Sequence, residues 1–334
     1  MKKVKVKFVG FWPAMKLETQ FMYQILSKHY NVEISEEPDY VICSCFDPLY
    51  EYCKYPQVRI MIAGENYIPD FNFIDYAICY YPVSFFDRCF YKPGCYDPWG
   101  HALALENVDR NRDRRLLDKK YFANFIASHE SENGLRGGFF KALSKYKRIE
   151  SPGSYLNNMS KQINVSCYDD SKTDFQRQCK FTLCFESTKH EGFVTEKITD
   201  AFYAETIPIY YGSDSVSEIF NPKAFINISD FDSWAEAIEF IKKIDNDDDL
   251  YLDMLSQPIL NEKHYFSKLE KDLEEYILHI FEQPIEEAYR RSRVYAPKKH
   301  EEYLLDLDRN DISKKSTRQL LKVVFNRARR KVGS

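Results

Sequence analysis

Two polar turns in the second half of the chain each combine charged side chains with the start of a helix-like segment. The turn at residues 128–134 follows a strand-like run and leads to Arg136, and the turn at residues 186–193 leads to Glu196 and Lys197. Unpaired N–H groups at a helix start, a guanidinium and an ammonium all bind phosphate oxygens. The sequence therefore predicts a diphosphate site, against the alternative that Glu196 and Lys197 are ordinary first-turn helix residues.

Thr195 directly precedes the second of these helix-like segments. We predict it as the N-cap, because a threonine hydroxyl can accept a hydrogen bond from an unpaired helix N–H. The sequence lacks the pattern GxxxxGK followed by Ser or Thr. The phosphate-binding loop of nucleoside triphosphatases is therefore not indicated.

A carboxylate also stands at the end of an earlier strand-like run. Glu65 follows the apolar residues 58–63 and Gly64, and it leads into an Asn-Tyr-Ile-Pro-Asp turn. A glycine lets a substrate approach the backbone closely, and a carboxylate beside it can remove a proton. Glu65 is therefore a candidate general base, and the alternative is an acid that caps its own loop.

Three acidic clusters resemble a metal-binding Asp-x-Asp motif, at residues 169–170, 230–232 and 247–249. Each lies near a predicted turn or helix start, where aspartate commonly caps backbone N–H groups. The nine cysteines lack the paired Cys-x-x-Cys spacing of zinc sites. We therefore predict no metal site.

Strand-like and helix-like segments alternate along the chain, which is typical of α/β proteins. In the first half, residues 16–29 are helix-like, and the strand-like runs cover residues 4–11, 40–45, 58–63 and 75–80. After a charged stretch at residues 109–120, strand-like runs at 121–127, 180–185 and 207–211 alternate with helix-like segments at 135–146, 196–205, 234–244 and 269–281. The pattern predicts two Rossmann-like domains facing a cleft, at residues 1–118 and 119–282, and a helical, basic tail at 283–334.

Composition narrows the classes of function. The formal net charge of −4 argues against a general nucleic-acid-binding protein, because neutralising phosphates requires a basic surface. Lys5 and Lys7 interrupt the first apolar run, which is a strand pattern rather than a signal peptide, and no stretch reaches the roughly 18 apolar residues of a membrane span. Cysteines inside apolar runs are typical of buried thiols in a reducing compartment. We therefore expect a cytoplasmic protein.

The end of the chain is a basic amphipathic segment. From Lys314 onward it holds eight basic residues and no acid, and its apolar side chains fall on one helical face. Such a helix can lie on an anionic membrane surface, here the inner membrane, or it can dock on the protein's own acidic surface. The sequence leaves both alternatives open.

Three runs around the second polar turn form a known signature. They are Phe-Glu-Ser at 185–187, Glu-Gly-Phe-Val-Thr-Glu-Lys-Ile at 191–198 and Ile-Pro-Ile-Tyr-Tyr-Gly-Ser at 207–213. This signature closely resembles that of the α-1,3/4-fucosyltransferases of glycosyltransferase family 10, above all the Helicobacter-type bacterial members. Residues 64–66 and 69–72 resemble the N-terminal motif of the same family.

The resemblance implies a GT-B fold, with an N-terminal domain for the acceptor and a C-terminal domain for GDP-fucose. It also implies an inverting reaction that needs no metal and no cofactor. By position, Glu65 corresponds to the general base and Glu196 to the carboxylate that stabilises positive charge on the fucose. Arg136 and Lys197 correspond to diphosphate contacts. The further donor-binding residues expected from the resemblance are Ser128, Glu186, Ser187, Phe193 and Thr195.

Two positions depart from the bacterial pattern. Ser187 stands where relatives often carry Asn, and Phe193 stands where they carry Tyr. A shorter polar group and a missing hydroxyl would weaken or redirect contacts to the donor.

We expect transfer of fucose to O3 of GlcNAc in N-acetyllactosamine-type acceptors, which gives Lewis x type glycans such as those of lipopolysaccharide O-antigen or of glycosylated proteins. One alternative is a GT-B transferase with an α-1,4 or other linkage, or with a different nucleotide-sugar donor. Another, of a different class, is a nucleotide-sugar-binding protein without catalysis. The presence of both Glu65 and Glu196 argues against the last alternative.

Overall fold

The computed structural model describes residues 1–12, 15–46, 50–97, 100–160, 162–163 and 170–310. Within it the chain divides into two compact units. The first comprises Met1–Ile62, Pro69–Ala77 and the residues from Ile280 onward, and the second comprises Ala63–Ile68 and Ile78–His279. The short segment that holds Glu65 thus packs with the second unit. Of the predicted tail at residues 283–334, the structure describes 283–310, whereas the basic segment from Lys314 onward lies outside the described residues, as does Asp169. The membrane contact and the cytoplasmic location therefore stay predictions, as do the domain boundaries at residues 118 and 282.

Strands and helices alternate through both units. The strands are β1 (Lys3–Val9), β2 (Asn31–Ile34), β3 (Tyr40–Ser44), β4 (Val58–Ile62), β5 (Tyr76–Cys79), β6 (Cys89–Tyr91), β7 (Tyr121–Asn124), β8 (Ile149–Glu150), β9 (Cys179–Phe185), β10 (Ile207–Tyr211) and β11 (Ile226–Asn227). The helices are α1 (Phe21–His29), α2 (Leu135–Leu143), α3 (Ser171–Gln176), α4 (Glu196–Tyr203), α5 (Val216–Ile219), α6 (Trp234–Asp245), α7 (Asp248–Leu255), α8 (Tyr265–Glu282), α9 (Ile285–Ala288) and α10 (Ala296–Asn310). This arrangement confirms the predicted α/β class.

The first sheet has the strand order β2-β1-β3-β4-β5-β6. Strand β1 pairs in parallel with both β2 and β3, and β3 pairs in parallel with β4, in a register that aligns Tyr40 with Val58. Every residue of β3 and β4 is buried. Burial on both faces explains why these strands are almost continuously apolar in sequence instead of alternating.

The second sheet has the order β11-β10-β9-β7-β8, and all its pairings are parallel. Its central strand β9 aligns Phe181 with Ile207 of β10 and with Ala123 of β7. Together with Phe139 of α2 and Ile241 of α6, these residues belong to one buried apolar core. The core fixes α2 and α6 against the sheet and so sets where the loops at its edge begin.

The three strands predicted for the second sheet, at residues 121–127, 180–185 and 207–211, are all present, and the first of them ends three residues early, at Asn124. The strand at Ile207–Tyr211 matches the prediction, and the strand predicted at residues 180–185 begins one residue earlier, at Cys179. The helix predicted at residues 16–29 begins only at Phe21, because Gln20 caps it by accepting a hydrogen bond from the Met22 N–H at 2.7 Å. Among the residues described, none of the helices is both long enough and apolar enough to cross a lipid bilayer.

Candidate functional site

The two polar turns leave the same edge of the second sheet. Strands β7 and β9 pair in parallel, so their carboxyl ends lie side by side, which is where open α/β sheets bind ligands. Arg136 joins the two turns. Its Nε and Nη2 donate to the carbonyl of Phe185 at 3.0 and 2.8 Å, and its Nη1 donates to the carbonyl of His129 at 3.0 Å. These bonds use three of the five guanidinium N–H donors, so one donor on each Nη atom is left for a ligand.

The start of α2 differs from the prediction of unpaired N–H groups. The Ser131 hydroxyl accepts from the N–H groups of Leu135 and Arg136 at 3.0 and 3.3 Å, and the Glu130 carboxylate accepts from the Gly137 N–H at 3.2 Å. The prediction is wrong for this helix because side chains of its own preceding turn satisfy these donors. At α2, the positive charge is that of the buried Arg136 side chain rather than of the helix backbone.

Glu186 organises the second turn. Its carboxylate is buried and accepts from the Thr195 N–H at 2.8 Å, from the Thr195 hydroxyl at 2.8 Å and from Lys197 Nζ at 3.0 Å. Its own N–H donates to the Tyr211 carbonyl of β10 at 2.8 Å. These bonds close residues 187–194 into a loop and fix the start of α4 to the end of β9.

Thr195 occupies the N-cap position of α4, as predicted, but its side chain caps no helix N–H. The predicted capping bond is wrong because the Thr195 hydroxyl donates to Glu186 and accepts from Lys197 Nζ at 2.8 Å. The bond that the threonine hydroxyl donates to a buried carboxylate is stronger than the bond it would accept from a helix N–H, because hydrogen bonds to charged groups are the stronger ones. The threonine therefore serves to hold Glu186 and Lys197 together.

Lys197 lies between two carboxylates. Its Nζ is 3.0 Å from Glu186 and 3.9 Å from Oε1 of Glu196, and a quarter of its side chain is exposed. Burial disfavours the charged form of Lys197, but Glu186 and Glu196 outweigh this effect and raise its pKa. Lys197 is therefore a fixed cation on a partly exposed side chain.

Glu65 joins the same group of charges. The Asn66 side chain donates to the Thr188 hydroxyl at 3.1 Å and ties the Glu65 segment to the loop after β9. Partial desolvation raises the pKa of the exposed Glu65 carboxyl, Lys197 lowers it, and Glu196 and Glu186 raise it further. The structure thus brings Glu65, Glu186, Glu196 and Lys197 into one electrostatic neighbourhood, in which the raised pKa of Glu65 suits a group that must accept a proton.

The loop after β9 depends on Gly192. Its φ of +77° is in the left-handed region, and a Cβ there would lie 2.7 Å from the Tyr80 carbonyl oxygen. The Gly192 N–H donates to the hydroxyls of Ser213 and Ser215 at 3.1 and 3.2 Å. A side chain at this position is excluded both by the backbone conformation and by the neighbouring carbonyl.

The remaining predicted donor contacts occupy the two turns. Phe193 is buried, and its ring centroid lies 6.1 Å from that of Tyr80. Ser128 is exposed and its carbonyl accepts from Ser154, whereas Ser187 is half-buried and its carbonyl accepts from the Glu132 N–H at 3.3 Å. Phe193 therefore supports the loop by packing, and the two serines lie at the beginnings of their turns.

Three residues that sequence reasoning missed form a chain of contacts that begins at Glu196. Lys172 of α3 lies 3.8 Å from Glu196 and 2.6 Å from Asp200, and Asp200 lies 2.9 Å from Nδ1 of His101. Asp200 follows Glu196 by four residues, so the two share one face of α4, and this spacing was a usable signal. His101 is 99 residues from Asp200, and no local pattern connects them.

The acidic clusters act within the protein in the part of the chain that the structure covers. Asp247 caps α7 by accepting from the N–H groups of Asp249 and Leu250 at 3.0 and 3.1 Å, and Asp230 accepts from Asn227 at 3.1 Å. Across the described ranges, no group of three or more His, Cys, Asp or Glu side chains is arranged to hold a metal ion.

Two family models match the chain. Residues 116–257 match the model described as "Glycosyltransferase family 10 (fucosyltransferase) C-term", and residues 6–96 match the "Alpha-(1,3)-fucosyltransferase FucT N-terminal domain". Over 297 residues the chain is 32% identical to alpha-(1,3)-fucosyltransferase FucT of Helicobacter pylori, a match that covers 77% of this chain and 60% of that protein. A 159-residue stretch is 32% identical to putative fucosyltransferase R654 of Acanthamoeba polyphaga mimivirus and covers 45% of this chain and 26% of the relative. The chain therefore spans no more than about 60% of the length of these relatives.

Solved structures show the same similarity. A crystal structure of an alpha1,3-fucosyltransferase with GDP aligns with a TM-score of 0.71 at 29% identity, over 87% of this chain and 93% of that one. The corresponding structure with GDP-fucose aligns with a TM-score of 0.64 at 28% identity, over 83% and 91%. A DNA-modifying β-glucosyltransferase, at 12% identity and a TM-score of 0.51 over 84% and 98%, shares the fold alone. These alignments confirm the predicted GT-B type of α/β fold.

Proposed function

The chain belongs to glycosyltransferase family 10, and on this premise we propose that it transfers L-fucose from GDP-β-L-fucose to O3 of GlcNAc in an N-acetyllactosamine-type acceptor. The product would be a Lewis x type glycan. Solved relatives described with GDP and with GDP-fucose support a guanosine diphosphate sugar as the donor.

The observation that carries the proposal is the convergence of charges after β9. Glu186 holds Lys197 at 3.0 Å, Glu196 lies 3.9 Å from the same ammonium, and the charges of all three act on the Glu65 carboxyl. Transfer of a sugar from a diphosphate requires two carboxylates in different environments beside a fixed cation. One carboxylate accepts a proton, the other faces positive charge, and the cation receives the leaving group.

The proposed reaction is an inverting displacement at C1 of fucose. Glu65 takes the proton from the acceptor O3–H as this oxygen attacks C1 on the face opposite the diphosphate. The bond from C1 to the phosphate oxygen breaks, and GDP leaves with the bonding electron pair. Glu196 stabilises the positive charge that develops on the ring, as carboxylates do in other glycosyl transfers that pass through an oxocarbenium-like state.

Departure of GDP is assisted by side chains of the chain itself. Lys197 supplies a point charge, and Arg136 offers the guanidinium donors that remain beside its bonds to Phe185 and His129. We propose that these two cations neutralise the diphosphate, and that the reaction therefore needs no metal ion and no further cofactor.

A linkage assay tests the proposal. The protein is incubated with GDP-fucose and either N-acetyllactosamine or lacto-N-biose, and the product linkage is read by NMR. We expect fucose on O3 of the GlcNAc in N-acetyllactosamine, with GDP released in equal amount, and a rate lower by about 10²–10⁴-fold in the Glu65→Gln variant. Transfer only to O4, or only from another nucleotide sugar in a donor panel, would replace the proposed specificity. Donor binding without any turnover would instead indicate a nucleotide-sugar-binding protein.

A further inference from the structure

A chain of charged and polar side chains, with a buried ion pair at its centre, connects the partly exposed Glu196 to residues that the proposed mechanism does not use. Lys172 of α3 places its Nζ 3.8 Å from Oε1 of Glu196 and 2.6 Å from Oδ2 of Asp200. The other carboxylate oxygen of Asp200 lies 2.9 Å from Nδ1 of His101. We call Lys172, Asp200 and His101 the Lys172 triad.

The triad is arranged to hold one ammonium group in one place. The side chains of Lys172 and Asp200 are 9% and 10% exposed, so this ion pair is nearly dry. The His101 ring stacks on Tyr203 at a centroid distance of 3.9 Å and an interplanar angle of 14°. A buried ammonium is stable only when it is ion-paired. Asp200 supplies the carboxylate that pairs with Lys172, and His101 holds this carboxylate in position.

Electrostatics agrees with this geometry. Burial disfavours ionisation of Lys172, but Asp200 and Glu196 outweigh it and raise the Lys172 pKa. For Glu196, desolvation raises the pKa, but Lys197 and Lys172 outweigh it and lower the pKa below its ordinary value. The titratable groups that act on Glu196 or respond to its charge are Lys172, Lys197, Asp200, Arg136, Glu65 and Cys95.

Lys197 cannot hold Glu196 by itself. Its ammonium already donates to Glu186 and Thr195 at 3.0 and 2.8 Å, and in the proposed reaction it also receives the diphosphate. Lys172 has no such competing task, because its other partner is the buried carboxylate of Asp200. The interaction of Lys172 with Glu196 therefore stays the same while the nucleotide binds and leaves.

We propose that Lys172 is a positioning residue for fucosyl transfer: it holds the Glu196 carboxylate ionised and in place, and Asp200 and His101 hold Lys172. The inference rests on the proposed function. It assigns a task to three residues that do not touch the substrates, and it implies that the charge of Lys172, more than its bulk, is what the reaction requires.

The first test compares Lys172→Met with Lys172→Arg. We expect Lys172→Met to lower kcat by about 10- to 100-fold, the size of effect that follows misplacement of a reacting group, while GDP affinity by calorimetry stays within about threefold. Because Glu196 then loses a cation, its pKa rises towards that of Glu65, and kcat should fall more steeply on the acidic side, where Glu65 alone sets the limb in the wild-type protein. Lys172→Arg should restore most of the rate and the original profile. A kcat within twofold of wild type and an unmoved profile for Lys172→Met would overturn the proposal.

Lys180→Met is the matched control. Lys180 is also a largely buried, ion-paired lysine, with its Nζ 2.8 Å from Asp245 and a side chain that is 15% exposed. It stands at the amino end of β9, away from the loop that carries the site. We expect it to lose stability but to keep kcat and its pH profile, whereas an equal loss of kcat in both variants would indicate a general effect of removing a buried charge and contradict the inference.

A double-mutant cycle shows whether Lys172 acts through Glu196. In a Glu196→Gln background the Lys172→Met change should alter kcat by less than about twofold, because the group it positions is gone. A loss as large as in the wild-type background refutes the connection. If Lys172→Met does not fold, Asp200→Asn replaces it in the same cycle, with an expected loss of about 3- to 10-fold only when Glu196 is present.

The inference and the proposed function can fail separately. Absence of fucose transfer by the wild-type protein refutes the function. Titration of the Glu196 carboxyl by ¹³C NMR, assigned with Glu196→Gln, then decides the positioning contact without any turnover. A Glu196 pKa that rises in Lys172→Met supports the contact, and one that stays at the wild-type value overturns it.

Discussion

Replacing Glu186 with glutamine removes the charge on which the loop after β9 is built. Glu186 is fully buried, and its partner Lys197 is a quarter exposed. Removing one partner of a buried ion pair costs about 3–5 kcal/mol. Solvent reaches Lys197 and offsets part of this cost, and the glutamine oxygen still accepts from the Thr195 N–H, so we expect a loss of about 2–3 kcal/mol. For a chain of 334 residues, with an unfolding entropy of about 2.1 cal/mol/K per residue, that corresponds to a fall in Tm of roughly 3–4 °C.

The same change should weaken nucleotide binding. Without the Glu186 charge, the Lys197 ammonium loses its fixed position and the start of α4 is held less firmly to β9. We expect the affinity for GDP to fall by about 10- to 100-fold, which is roughly 1.4–2.7 kcal/mol. Thermal unfolding and calorimetric titration with GDP measure the two effects independently.

Asp245→Asn provides the control for this experiment. Asp245 is equally buried and pairs with Lys147 and with Lys180, the latter at 2.8 Å, but it lies at the end of α6 outside the candidate site. We expect a comparable fall in Tm with unchanged GDP affinity. If Glu186→Gln keeps its Tm within 1 °C and binds GDP normally, or if Asp245→Asn weakens GDP binding as much, the reasoning about Glu186 is refuted.

Three further predictions concern the reaction. Glu65→Gln should keep GDP-fucose binding and lose about 10²–10⁴-fold in turnover, and near-normal turnover would exclude Glu65 as the base. Because the Glu65 pKa is raised above its ordinary value of 4.5, the base form disappears as pH falls through that raised pKa, so the wild-type acidic limb should lie above pH 4.5. Lys197→Ala and Arg136→Ala should each weaken GDP binding in calorimetry, and unchanged affinity would remove the residue concerned from the phosphate site. Arg136→Ala should also lower the Tm, because the Phe185 carbonyl loses its donors. Activity should survive EDTA, and a full loss that Mn²⁺ restores would contradict the metal-free mechanism.

The central elements of the fold could be predicted because burial leaves a strong trace in sequence. The strands β3, β4, β9 and β10 are buried along nearly their whole length, and each is a short apolar run between polar turns. The strands β2 and β8 escaped prediction because they have four and two residues and lack such a run.

The site was predictable where its residues are neighbours in sequence and not where they meet through folding. Glu186, Thr195, Glu196 and Lys197 lie in one signature and are in contact. The uses of their side chains were harder to foresee, since the Thr195 hydroxyl bonds Glu186 instead of capping α4. Side chain-to-side chain bonds of this kind depend on how a loop closes, which no spacing rule describes.

The distances along the chain between the residues of the Lys172 triad have a consequence for refolding. Asp200 meets Lys172 across 28 residues and His101 across 99 residues, so the support of Glu196 requires segments that come together late. Closing long loops slows such steps relative to local structure. During refolding from denaturant, the helical circular dichroism signal should therefore recover before transferase activity does, and a chain with native secondary structure can still lack a working carboxylate.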